Sequence, residues 1–179
     1  RLSFDGATLD GGLRIDSAVV SDGVSCVDLT VRDGPVTVDL TETDPVTGTV
    51  GPADGDVEYD LTRAVLGDLE LVDGTILSQL RFDETVFDGF DFGRYRRQLA
   101  AAEYKLHDAG DPSSVREITY VRAKNGAERV GDNRAAAEFF FHEMVARRGS
   151  HRREFGQSSG RTRLRHAGRY VGNLVIGVS

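Results

Sequence analysis

Chemistry in this 179-residue chain would have to come from few groups: four histidines, one cysteine and many aspartates set beside glycines. His142-Glu143 lies in a run of helix formers and opens like a zinc-protease helix. That helix needs a second histidine one turn on, and position 146 is alanine. Asp-Gly pairs at 10–11, 22–23, 33–34, 54–55, 73–74 and 88–89 could offer carboxylates to calcium, as β-rolls do. Their spacing does not follow a nonapeptide calcium unit, and Asp-Gly is what any tight corner favours, so turn chemistry is the reading adopted. No glycine-rich phosphate loop or dinucleotide fingerprint is present, and no motif orders the serines, histidines and aspartates. A single cysteine excludes an internal disulfide and any multi-cysteine metal site. The expectation is a protein that is not an enzyme and carries no cofactor and no metal.

What remains is a repeat. LSFDGATLDGG (2–12), LRIDSAVVSDG (13–23) and VSCVDLTVRDG (24–34) align at a period of 11, with apolar residues at unit positions 1, 3, 6 and 8. The pattern frays in PVTVDLTETD and breaks in the Gly/Pro-rich VTGTVGPADGD. It resumes as YDLTRAVLGD (59–68), LELVDGTILSQ (69–79) and LRFDETVFDG (80–89). Of 24 such sites in six units all but Gly74 and Thr85 are apolar, against about nine expected from the 39% hydrophobic content, so the pattern is not compositional. Each unit is a pair of short extended segments whose apolar residues at i−2 and i share a face. Strands this short are stable only when stacked, so the reading is a solenoid over 1–92 of about four coils. Its inward column is Phe4, Leu9, Ile15, Val20, Cys26, Val31, Leu61, Leu66, Leu71, Ile76, Phe82 and Phe87. Cys26, being inward, is expected to be a buried apolar thiol rather than a nucleophile.

ATLDG (7–11), AVLGD (64–68) and TVFDG (85–89) resemble the pentapeptide-repeat family, whose units wind into a quadrilateral β-helix. The resemblance covers 1–92. The chain departs from it in an extra residue after most doublets and in bulky Leu2, Leu13, Leu69 and Leu80 where small residues are usual.

Beyond residue 92 the period changes. Tyr95, Leu99, Ala102 and Leu106 stand at helical spacing, Ser114 and Glu117 offer a capping box, and a third helix is expected over about 134–148. GDNRAAAEFF is similar to the turn and second helix of a tetratricopeptide repeat, implying a helical hairpin over 93–149 that caps the β-helix. Phe139, Phe140 and Phe141 cannot all face one core, because helix neighbours diverge by about 100°. The expectation is that they pack between two surfaces of the same molecule.

Charge divides the chain. Residues 1–92 carry 5 basic and 20 acidic side chains, and residues 93–179 carry 17 basic and 9 acidic. With 20 Arg but only 2 Lys, and 19 Asp, the balance suits a protein held in solution at high salt. From Arg147 to Tyr170 lie eight arginines (Arg147, Arg148, Arg152, Arg153, Arg161, Arg163, Arg165 and Arg169) and one acid, Glu154. Residues 150–179 read as a basic linker followed by an apolar start. This strip suits a solvated tail, a juxtamembrane segment against anionic lipid, or a nucleic-acid arm, the last disfavoured by the acidic solenoid. From the start at Arg1 rather than methionine, the expectation is that the chain is a fragment.

The order of repeats, helices, Arg-rich strip and apolar start resembles halophilic archaeal pentapeptide-repeat proteins in which the cytoplasmic part precedes a two-helix ion-channel-like membrane module. That resemblance implies a non-catalytic interaction or regulatory domain whose partner is a protein or its own membrane module, with a homo-oligomer also open. The alternative reading is an acidic DNA mimic that occupies a topoisomerase or another nucleic-acid-binding protein. About four coils at 4.8 Å give only about 20 Å, little more than half a turn of DNA.

Overall fold

The computed structural model describes residues 1–72, 77–107 and 110–149. Short strands stack in parallel to build the solenoid: β1 (Leu2–Ser3), β2 (Thr8–Leu9), β3 (Leu13–Arg14), β4 (Val24–Cys26), β5 (Leu29–Val31), β6 (Val36–Asp39), β7 (Val46–Val50), β8 (Ala53–Asp54), β9 (Val57–Asp60), β10 (Val65–Leu71), β11 (Leu80–Arg81) and β12 (Val86–Phe87). One side carries Leu2, Val24, Gly48 and Leu69 in register, successive offsets being 22, 24 and 21 residues. A second aligns Thr8, Thr30 and Asp54, and a third Leu13, Val38, Tyr59 and Leu80. On the fourth, Ala18 O, Thr43 O and Ala64 O accept from the amides of Asp44, Val65 and Val86 at 2.9–3.0 Å. Four coils result, and the 11-residue sequence unit is half of one.

The apparent break at VTGTVGPADGD is no break: it forms β7 and β8 within the third coil. Gly48 and Gly55 occupy positions that elsewhere are apolar. A Cβ on Gly48 would sit 2.1 Å from Val24 O, and one on Gly55 2.7 Å from the Val31 Cβ, so the chain needs glycine where coils approach most closely. Thr85, the polar exception in the repeat, is fully buried and donates from Oγ1 to Leu61 O at 2.7 Å. Thr43 does the same to Ile15 O at 2.7 Å. Both hydroxyls thus bond to the coil beneath.

After the fourth coil a 3₁₀ turn at Phe92–Tyr95 leads into α1 (Arg96–Ala101), then α2 (Ser113–Arg129) and a helix over 133–149, α3. The first helix is shorter than its periodicity predicts, because Glu103 and Tyr104 adopt positive φ (52° and 55°) and turn Tyr104 into the core. The predicted capping box does not form. Pro112 precedes α2, Ser114 lies inside the helix, and Glu117 pairs with Arg147 at 2.8 Å. α3 starts one residue before its expected bounds, and its N-terminus is capped by Asp132 Oδ1, which accepts from Ala135 N at 3.1 Å. α2 and α3 form an antiparallel hairpin, with Ser113 near Gly149 and Tyr120 near Phe139.

Phe87 is buried among Phe82, Phe90 and Phe92, with ring centroids 4.9–6.0 Å away. Truncation to alanine leaves a cavity at the top of the apolar column, and Phe87→Ala should lower unfolding free energy by about 3–5 kcal/mol in a denaturant titration. A loss below about 1 kcal/mol would place the ring outside the core.

Candidate interaction surfaces at the capped end

One corner of every coil turns through a left-handed residue: Ser17, Glu42, Arg63 and Glu84, with φ of 51–59°. In the first three coils that corner amide donates to the coil above: Ser17 N to Thr41 O, Glu42 N to Thr62 O, and Arg63 N to Asp83 O, at 2.8–3.0 Å. Glu84 has no coil above it. Its amide donates instead to Thr119 Oγ1 of α2 at 2.9 Å, while Arg122 donates to its carbonyl. Two further side chains do the same work on other sides. Tyr95 Oη accepts from Leu71 N at 2.8 Å, and Gln98 Oε1 accepts from Leu77 N at 2.9 Å. The helices therefore replace the missing fifth coil group by group.

Packing follows the same seam. A Cβ on Gly126 would lie 2.5 Å from the Phe87 Cβ, so α2 rests directly on β12. From Phe87 an aromatic chain runs through Phe92 to Phe139, each step 4.9 Å, and on to Tyr104 and Tyr120. Polar contacts rim it: Arg129 with Asp88, Lys124 with the buried Glu143 at 3.2 Å, and Arg147 with Glu143 at 2.9 Å.

A cavity of about 150 Å³ lies between the last coil and the segment that follows α1, lined among others by Leu80, Arg81, Asp83, Lys105 and His107. Its charges are already engaged: Arg81 with Asp83 at 2.8 Å, Lys105 with Glu103, and His107 Nδ1 with Tyr120 Oη at 2.6 Å. Burial pushes the Asp83 carboxyl above the usual carboxylate range, with Asp111 adding to the rise and Arg81 opposing it. Among the described residues no group of three His, Cys, Asp or Glu side chains is placed to hold a metal ion.

The repeat residues differ in burial. Cys26, Val20, Leu61, Leu66, Leu71, Phe82 and Phe87 are buried, and Phe4, Leu9, Ile15 and Val31 are half-buried against the same core. Ile76 lies outside the described residues. Burial pushes the Cys26 thiol up to about 12, with Asp5 contributing, which leaves it un-ionised at neutral pH. Of the basic strip, Arg147 bridges Glu117 and Glu143, and Arg148 is exposed. Arg152, Arg153, Arg161, Arg163, Arg165 and Arg169 lie outside the described residues. The expectation for the three phenylalanines is corrected: only Phe139 packs internally, while Phe140 and Phe141 are 49% and 61% exposed. Phe139 is drawn into the aromatic chain, and helical geometry then points its two successors outward. The capping side chains Tyr95, Gln98 and Thr119 carry no sequence motif; the one signal for them is that a solenoid end must be covered.

No family model matches the chain, and no curated protein or solved structure matches it.

Thr119 is fully buried, so Thr119→Val keeps its shape but strands the Glu84 amide. The cost should be about 1–3 kcal/mol in thermal or denaturant unfolding, with Thr119→Ser close to the parent. An unchanged midpoint for the valine variant would mean that the hydroxyl does not terminate the ladder. Cys26 should react with a thiol reagent at neutral pH only after denaturation; rapid labelling of the native chain would contradict its inward position.

Proposed function

We propose that this chain is a non-catalytic interaction and regulatory domain at the cytoplasmic face of a membrane, its helical end turned toward an ion-channel-like module or anionic lipid. The observation that carries the reading is the division of charge along the sequence, acidic over 1–92 and basic over 93–179. The few arginines of the coils are spent on neighbouring carboxylates: Arg14 on Asp16 at 2.6 Å, Arg63 on Glu42 at 2.6 Å, and Arg32 on Asp10 at 3.7 Å. The coils keep their acidic surplus, while the net positive charge lies wholly in 93–179. A molecule so polarised is oriented by an anionic surface with its helices inward. No helix among the described residues is long and apolar enough to cross a membrane. The halophilic and archaeal resemblance belongs to the same proposal: its high-salt part rests on the Asp-rich, Lys-poor composition, and the rest on the order of repeats, helices, Arg-rich strip and apolar start.

The acidic coils also favour the DNA-mimic alternative by sign of charge. Their height of about 20 Å does not favour it.

Each arginine near the surface contributes up to about 1 kcal/mol, and at about 1 M salt the Debye length of about 3 Å leaves only contact interactions. The full chain should therefore bind vesicles containing anionic phospholipid at low ionic strength, release them at high salt and ignore neutral vesicles. Deleting 161–179 should weaken binding at least about tenfold. Equal binding after the deletion, or no anionic preference, would reject the membrane-facing reading.

A further inference from the structure

The outward face of α3 is the least explained surface of the protein. Phe141 and Val145 are 61% and 50% exposed, and Phe140 and the half-buried Met144 flank them. Large apolar side chains that adjoin on a surface mark contact sites rather than ordinary scatter. Their charged neighbours decide what they contact. Glu138, Phe141, Val145 and Arg148 follow one another at intervals of three, four and three residues. At about 100° per residue they fall in one stripe about 80° wide and about 15 Å long. Glu138 and Arg148 are both exposed, and neither has an ion-pair partner among the described residues. Lys124, Arg147 and Glu143, by contrast, are all engaged in pairs within the hairpin.

The stripe is self-complementary. Laid antiparallel against its own copy about an axis midway between Phe141 and Val145, it sets Phe141 against Val145 and Glu138 against Arg148, twice each. A two-fold contact requires this reciprocity, in which residue i meets j and j meets i. Apolar residues at three- and four-residue spacing flanked by opposite charges form the seam that paired helices use. Other occupants match only half of it. An anionic bilayer would accept Arg148 and repel Glu138, and an acidic or basic peptide would leave one of the two uncompensated.

We propose that the outward stripe of α3 is the contact of an antiparallel two-fold dimer of this chain. One helix pair covers less than the roughly 1,200 Å² of a standard stable interface, so the dimer should dissociate measurably over an accessible concentration range.

Sedimentation of the full chain at about 0.15 M salt tests this, where the Debye length of about 8 Å leaves contact pairs intact. A monomer–dimer equilibrium should appear, weakened at least about tenfold by Phe141→Ser, a loss of about 1.4 kcal/mol. Glu138→Arg and Arg148→Glu should each weaken it comparably, and the double variant should restore the parent affinity, because the swapped pair is again complementary. All four positions are exposed, so folding should be unchanged, as circular dichroism would verify. A chain monomeric at every concentration, or charge variants that do not rescue each other, would overturn the dimer. Dimerisation appearing only after deletion of 150–179 would assign the face to the chain's own tail and overturn it equally. Vesicle binding is read separately. Its loss in Phe141→Ser with no change in mass would give the face to lipid and reject the dimer, while failure of vesicle binding by the parent leaves the sedimentation result standing.

Discussion

Parallel coils bond to one another through backbone groups that all point along the solenoid axis, so the stack cannot end without leaving donors and acceptors unpaired. The rest of this structure is arranged around that constraint. At the fourth coil the donors of Leu71, Leu77 and Glu84 meet Tyr95 of the 3₁₀ turn, Gln98 of α1 and Thr119 of α2. Each sits above a different part of the coil, which fixes α1 and α2 in place over it. The cap is therefore specified by hydrogen bonds, and the aromatic packing fills in behind them.

That packing explains two residues that look out of place. Gly126 is a glycine inside a continuous helix, where any larger side chain would collide with Phe87. Phe139 is one of three consecutive phenylalanines, yet only it reaches Phe92, Tyr104 and Tyr120. The hairpin thus spends one aromatic on its own interior and sends two outward. Buried Glu143 is held by Lys124 and Arg147, which ties α3 to α2 on the side of the seam facing away from the coils.

Charge and surface then separate by region. In the coils Arg14, Arg32, Arg63 and Arg81 are paired with neighbouring carboxylates, and an acidic surplus remains. On the helices the balance is positive and the exposed face is partly apolar. A partner approaching this protein meets an acidic shaft from the side and a basic, aromatic-bearing surface at the capped end. The two regions favour partners of different chemistry, which is why the functional proposal and the dimer proposal both concern the helices.

The sequence by itself determined the solenoid. Period 11, with apolar residues at four fixed positions, is a local property: each short strand buries the same two side chains whatever its neighbours do, so the pattern is legible without the fold. The repeat was lost only at 46–56, where glycines stand at inward positions, because the reason for Gly48 is the carbonyl of Val24, a whole coil away in sequence. The polar Thr85 was likewise unreadable until Leu61 O was found beneath it. Helix existence was legible, but the end of α1, the failed capping box and the outward phenylalanines were not, since each depends on what the helix meets in space. Which side chains close the last coil was decided by tertiary structure alone. Tyr95, Gln98 and Thr119 answer to backbone groups 21 to 35 residues away, and nothing in the local sequence records that separation.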